Sequence, residues 1–174
     1  MGSEMCIRDR METVKSLLTE PEKYSMYDVI IIDNVSELFR ATLSNLGREG
    51  KNNRVPSQAD YQRVDFTILD SLRALRNTGK TIVFTAWETT DVYTLENGQS
   101  FTRSMPDIRP KIINNFFGLC DVVARLIVKT DDDNNIARGF VLQPTNSIYA
   151  KNRLSDAKGC KVEELFEKTV GDDS

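Results

Sequence analysis

An α/β fold with a mainly parallel sheet and an antiparallel C-terminal β edge is what this 174-residue sequence predicts. Three features predict it. "YDVIIID" (27–33) and "KTIVFTA" (80–86) are short, continuous runs rich in β-branched residues, the pattern of strands buried on both faces. Two helical patterns lie between them, and two hairpin signals follow. The order strand, helix, helix, strand, then antiparallel β points to that class.

The elements follow in order. Residues 11–18 form a short helical pattern that stops near Pro21. After the first strand, Val35, Leu38, Phe39, Leu43 and Leu46 recur at helical spacing, with Gly47 as the expected stop. "REGKNNRVP" is a polar, basic loop. Ser57 and Asp60 then make a capping box, with Asp replacing the usual Glu. That box opens a helix carrying Tyr61, Val64, Ile68, Leu69, Leu72 and Leu75 on one side. After the second strand, "VYTLENGQSFTR" alternates around Asn97-Gly98, a strong hairpin signal. "DIRPKIINNFFG" reads as a helical turn or two, interrupted by Pro110. "DVVARLIVKT" and "RGFVLQP" form a second hairpin around "DDDNN". That tip is no calcium loop, because Ile136 and Leu142 stand where Gly and Glu are needed. "SIYAKNRL" is a last short strand running into a basic turn, and "KVEELFEKTVG" is an amphipathic terminal helix. No internal repeat or domain boundary is evident.

Composition narrows the function. With 40% hydrophobic and 28% charged residues, the chain can bury a sizeable core. A net charge of -3 gives no global basic field, so any nucleic-acid contact must be a local patch. The absence of His and the unpatterned three Cys argue against zinc sites and His-based triads. Sparse Cys suits a reducing cytosol. No apolar run is long enough to span a membrane.

"NTGKT" (77–81) looks like the end of a phosphate-binding Walker A loop, G-x-x-x-x-G-K-S/T. Ala74 stands where the first Gly belongs, and a helix precedes the motif while a strand follows it. A phosphate loop has the reverse order. Gly79 therefore reads as a helix C′ residue and Lys80 as a cation near the C-terminal dipole.

Asp33 ends the first strand, at the edge where α/β sheets bind ligands. It is either a Walker B carboxylate that holds magnesium or an N-cap for the next helix. Thr85, Trp87 and Glu88 follow the second strand at the same edge. Asp33, Thr85 and Glu88 together could hold magnesium and position water. A metal-dependent nuclease is a weaker alternative, since it needs a further carboxylate cluster.

"YDVIIIDNVSELFR", "GREGKNNRVPSQADYQRVDFTILDSLRAL", "IVFTAWETT", "DIRPKIINNFFGLCDVVARL" and "LQPTNSIYAKNRL" occur in this order. Together they resemble the phage AAA-type nucleotide-binding proteins of RecA-like P-loop fold, the group that includes single-strand annealing ATPases related to RadA and RecA. The resemblance implies ATP and Mg2+ as cofactors. It implies Asp33 as the metal carboxylate, with Asn34 beside it in the ATP-binding set. It implies "TAWE" as the sensor-like strand end, with Thr85 and Glu88 in the catalytic set; relatives often carry His where Trp87 stands. It also likens "AKNR" to the Lys-Asn-Arg motif of RadA-type ATPases. Lys151 and Arg153 would then reach the nucleotide of a neighbouring subunit in a homo-oligomeric ring or filament.

The family's Walker A loop does not precede Asp33 in this sequence. "MCIRDR" (5–10) can be back-translated to match a transposase mosaic end used in sequencing libraries. Residues 1–10 are accordingly expected to be a non-native scar. Residues 11–174 are expected to be a partial RecA-like ATPase domain lacking its first strand, P-loop and first helix. Bacterial host cytoplasm is the expected location. Single-stranded DNA is the expected partner, held by Arg103, Arg109, Lys111 and the "REGKNNR" loop, with Phe101, Phe116 and Phe117 nearby. A nucleotide-sensing regulator or scaffold that binds no DNA is the competing reading.

Overall fold

A computed structural model describes residues 12–50, 52–130 and 134–166. The proposed scar (1–10) and the acidic residues 131–133 of the second hairpin tip lie outside them. The described residues divide into two compact units. Among them, the first draws on residues 12–87 with Ile108–Leu119, the second on Glu88–Asp107 with residues 120–166.

In the first unit, helix α1 (12–19) and a 3-10 turn (Pro21–Tyr24) lead to strand β1 (Val29–Ile32). Helices α2 (Val35–Glu49) and α3 (Gln58–Arg76) precede strand β2 (Thr81–Phe84), and α4 (Ile113–Leu119) completes the unit. β1 and β2 pair in parallel, with Ile30 opposite Ile82 and Ile32 opposite Phe84. The face carrying Ile32 and Phe84 meets apolar residues of α2, α3 and α4. Phe84 packs edge-on against Phe116, with ring centroids 5.6 Å apart. Val35, Leu38, Val64, Ile68, Leu72 and Leu75 form the buried helical seam, each worth about 1.5–3 kcal/mol relative to exposure. An apolar gap of about 20 Å³ remains between sheet and helices, room for roughly one water.

Burial on both faces of β1 is not what the structure shows. Val29 is 41% and Ile31 63% exposed. Side chains alternate across a strand, and the helices cover only the face bearing Ile30 and Ile32. Local signals fare better. The capping box forms as read: Ser57 Oγ accepts from Asp60 N, and Asp60 Oδ2 accepts from Ser57 N. Gly47, in contrast, does not stop α2, which runs to Glu49. It is buried where a Cβ would lie 2.8 Å from a Pro56 ring carbon, so it permits close packing rather than a cap.

The second unit is antiparallel. β3 (Glu88–Thr94) and β4 (Ser100–Pro106) form the Asn97-Gly98 hairpin, where Gly98 takes φ +84°. β6 (Arg125–Thr130), β7 (Ile136–Val141) and β9 (Gly159–Lys161) make a three-stranded sheet in the order β6-β7-β9. β5 (Val122–Val123) pairs with β8 (Lys151–Asn152). Among the described residues, β1 and β2 are the only named strands paired in parallel. The expectation of a mainly parallel sheet is corrected: hairpin turns impose antiparallel neighbours. The expected last strand, "SIYAKNRL", shrinks to Lys151–Asn152 and is followed by β9, which the sequence did not signal; the terminal helix appears as a 3-10 turn (Val162–Glu164) with residues 165–166 helical. The remainder of that helix lies outside the described residues. No helix among them is long and apolar enough to cross a membrane.

Candidate functional site

The C-terminal ends of β1 and β2 are knitted together by the backbone. Thr85 N donates to Ile32 O at 3.1 Å, and Val35 N donates to Thr85 O at 2.8 Å. This places Thr85 between the end of β1 and the start of α2. Its hydroxyl donates to Asp33 Oδ1. Asp33 itself is exposed. The capping alternative for Asp33 fails, because Asn34 is the N-cap and its side chain accepts from Glu37 N at 2.7 Å. Capping also accounts for Asn34, leaving Asp33 as the carboxylate at the edge. In the first turn of α2, buried Ser36 accepts from Trp87 N through its Oγ at 3.0 Å. A turn further, the Arg40 guanidinium lies over the Trp87 ring, 4.7 Å from its centroid.

This edge suits a hard divalent cation in one respect. Magnesium commonly takes one or two protein carboxylates and completes its shell with water and phosphate oxygens. Asp33 supplies one carboxylate, and the Thr85 hydroxyl on Oδ1 leaves Oδ2 for a cation. Among the described residues, no group of three or more His, Cys, Asp or Glu gathers as metal ligands. The nuclease alternative, which needs such a cluster, receives no support from them.

A phosphate cradle is not found among the described residues. α3 ends at its C-cap Asn77, whose N–H donates to Ala74 O and Leu75 O. Gly79 follows at φ +71°, one position beyond the expected C′ site. Lys80 Nζ donates to Tyr27 O at 2.6 Å. "GKT" thus follows the carbonyl end of a helix, where the dipole disfavours an anion. The nucleotide's phosphates do not fit the described residues, and no hydrolytic step follows from them.

Glu88 belongs to the second unit. Its carboxylate accepts a two-pronged contact from Arg125 at 2.7 and 3.0 Å, and a bond from Ser104 Oγ at 3.3 Å. The Arg125 hydrogen bond holds Glu88 below its ordinary pKa of 4.5. Lys151 and Arg153 face the turn before β5. Lys151 Nζ donates to Cys120 O at 2.7 Å, and Arg153 Nε donates to Asp121 Oδ1 at 2.7 Å. The salt-bridge partner of Arg153 is therefore Asp121. Asn152 Oδ1 accepts from Leu154 N and Ser155 N, an Asx turn that bends the chain away from the strand path. Burial raises the Cys120 thiol to about 11, so it stays protonated at neutral pH.

The expected DNA residues are largely engaged within their own units. Arg103 makes a two-pronged contact with Asp91, at 2.8 and 3.2 Å, and its guanidinium sits against the Tyr93 and Tyr149 rings. Arg109 pairs with buried Asp65 at 3.2 Å and stacks on Tyr61. Phe116 and Phe117 are core residues, each 3% exposed, so they cannot stack on a strand. Lys111 remains exposed. Sequence reading missed Ser36, Arg40, Asp65 and Asp121. Ser36 and Arg40 share an i, i+4 face of α2, a signal that was legible; Asp65 and Asp121 needed the fold.

A protein-family model described as an AAA domain matches residues 3–154. No curated protein and no solved structure matches the chain.

Proposed function

The chain belongs to the AAA-domain family, and from that premise we propose that it is a nucleotide-binding, ATPase-type domain with a RecA-like arrangement. The observation that carries this reading is the Asp33–Thr85 pair at the C-terminal end of the parallel strands, where α/β sheets gather ligands. Asp33 would hold Mg2+ while the Thr85 hydroxyl orients its carboxylate. Magnesium supplies charge neutralisation to phosphate oxygens when bound. A phage origin, bacterial host cytoplasm and a role in single-strand annealing or recombination complete the proposal. The resemblance of the motifs supports these finer parts. The internal engagement of Arg103 and Arg109 favours a second reading, a nucleotide-sensing regulator or scaffold that holds no DNA.

Manganese tests the metal site, since it can replace magnesium and broadens nearby NMR signals. Substoichiometric Mn2+ should broaden the Thr85 and Val35 amides first and reverse with excess Mg2+. Asp33→Asn should abolish the selectivity. Broadening that survives Asp33→Asn would move the site elsewhere.

We further propose a homo-oligomer, ring or filament, in which Lys151 and Arg153 reach a neighbour's phosphates. Arg supplies a planar fork and Lys a point charge. An arginine acting across subunits can raise phosphoryl transfer by roughly 10³–10⁵. In a relative carrying the phosphate loop, the counterpart of Arg153→Ala is mixed with a loop Lys→Ala protein. Recovery of activity in mixed assemblies supports action across the interface; assemblies that form without recovery exclude it.

A further inference from the structure

The geometry points to a nucleobase-stacking site at Trp87 and Arg40, which would hold one base of a single-stranded nucleic acid. This rests on the single-strand part of the proposed function but assigns the contact to residues outside the expected DNA surface. Trp87 is the one Trp in the sequence, and 42% of it is exposed. Its main chain is nevertheless pinned: Trp87 N donates to the Oγ of Ser36, itself 2% exposed. Arg40 lies one turn beyond Ser36 on α2, with its guanidinium 4.7 Å from the indole centroid. The backbone anchor and the cation together present the ring in a defined position at low ordering cost, as a stacking platform requires.

The chemistry favours a base. The guanidinium lies over one face of the indole, so a base would stack on the opposite face, with the cation close to the phosphate joined to it. Every base has a π face, so such a platform tolerates sequence. A single stack holds a mononucleotide weakly; a strand adds phosphate contacts along the chain. The strand is the proposed occupant, and a free nucleotide is the competing outcome.

The test uses the full chain. Because Trp87 is the sole indole, its emission reports on its own surroundings, and a deoxyadenylate oligomer should quench it saturably. ATP and ADP at equal base concentration should quench it far less. Anisotropy of a labelled oligomer then reads the variants: Trp87→Ala should weaken binding at least about fivefold, Trp87→Phe should retain most of it, and Arg40→Met should weaken it and flatten its salt dependence. Circular dichroism checks each fold. Oligomer binding that Trp87→Ala leaves unchanged overturns the site while sparing the single-strand reading. No oligomer binding by wild type overturns both. Quenching by mononucleotides alone overturns the strand as occupant. None of these outcomes bears on the Mn2+ result at Asp33.

Discussion

The Thr85 hydroxyl donates to the Asp33 carboxylate, joining two residues 52 positions apart at the ends of adjacent parallel strands. Thr85 is held by its own backbone bonds to Ile32 and Val35, so its hydroxyl is preorganised. Thr85→Val keeps the shape and β preference but removes the donor. Metal affinity at Asp33 should fall severalfold. Stability should change by less than about 1 kcal/mol, because the bond is exposed. Parallel Mn2+ titration and thermal melts measure the two effects; unchanged metal affinity would show that Asp33 needs no such orientation.

ATP with Mg2+ should show no micromolar affinity for this chain in isothermal titration. The described residues supply no cradle of backbone N–H groups, the main source of phosphate contacts in P-loop sites. Lys80→Ala should leave that result unchanged, since Lys80 Nζ serves Tyr27 O. Micromolar binding lost in Lys80→Ala would reinstate "GKT" as a phosphate loop.

Arg109→Ala should destabilise the first unit by about 3–5 kcal/mol, the cost of leaving a buried charge without its partner. Asp65 is 6% exposed, and neither carboxylate oxygen has a hydrogen bond among the described residues. Arg109 is its ion-pair partner, at 3.2 Å. Denaturant unfolding measures the loss. A loss of nucleic-acid binding with stability intact would instead favour Arg109 as a DNA contact.

Acid should weaken the second unit partly through Glu88. The Arg125 hydrogen bond lowers the Glu88 pKa below 4.5, so its contribution is complete above 4.5 and is lost as pH falls through the lower folded value. The pair is half exposed, so the effect is modest. Melting temperature followed from neutral pH into this acid range should fall less in Glu88→Gln than in wild type. Equal slopes would remove the Arg125 pair as a source of acid sensitivity.

Local chemistry was legible in the sequence wherever neighbours in the chain decide the outcome. The Ser57–Asp60 box, the Asn97-Gly98 hairpin and the rejection of "GKT" depend on a few adjacent residues, and the structure agrees with each. Asp33 was legible as a strand-end carboxylate, but its freedom from capping was settled by the Asn34 rotamer. Burial required the tertiary structure. Ile31 lies in an aliphatic run that reads as fully buried, yet packing covers only the face of Ile30 and Ile32. The basic residues show the same limit. Arg103 and Arg109 look available in sequence, but their partners Asp91 and Asp65 lie 12 and 44 positions away. The sequence supplied the charges; only folding determined which of them were already paired, because Coulombic pairing depends on distance in space and on exclusion of water.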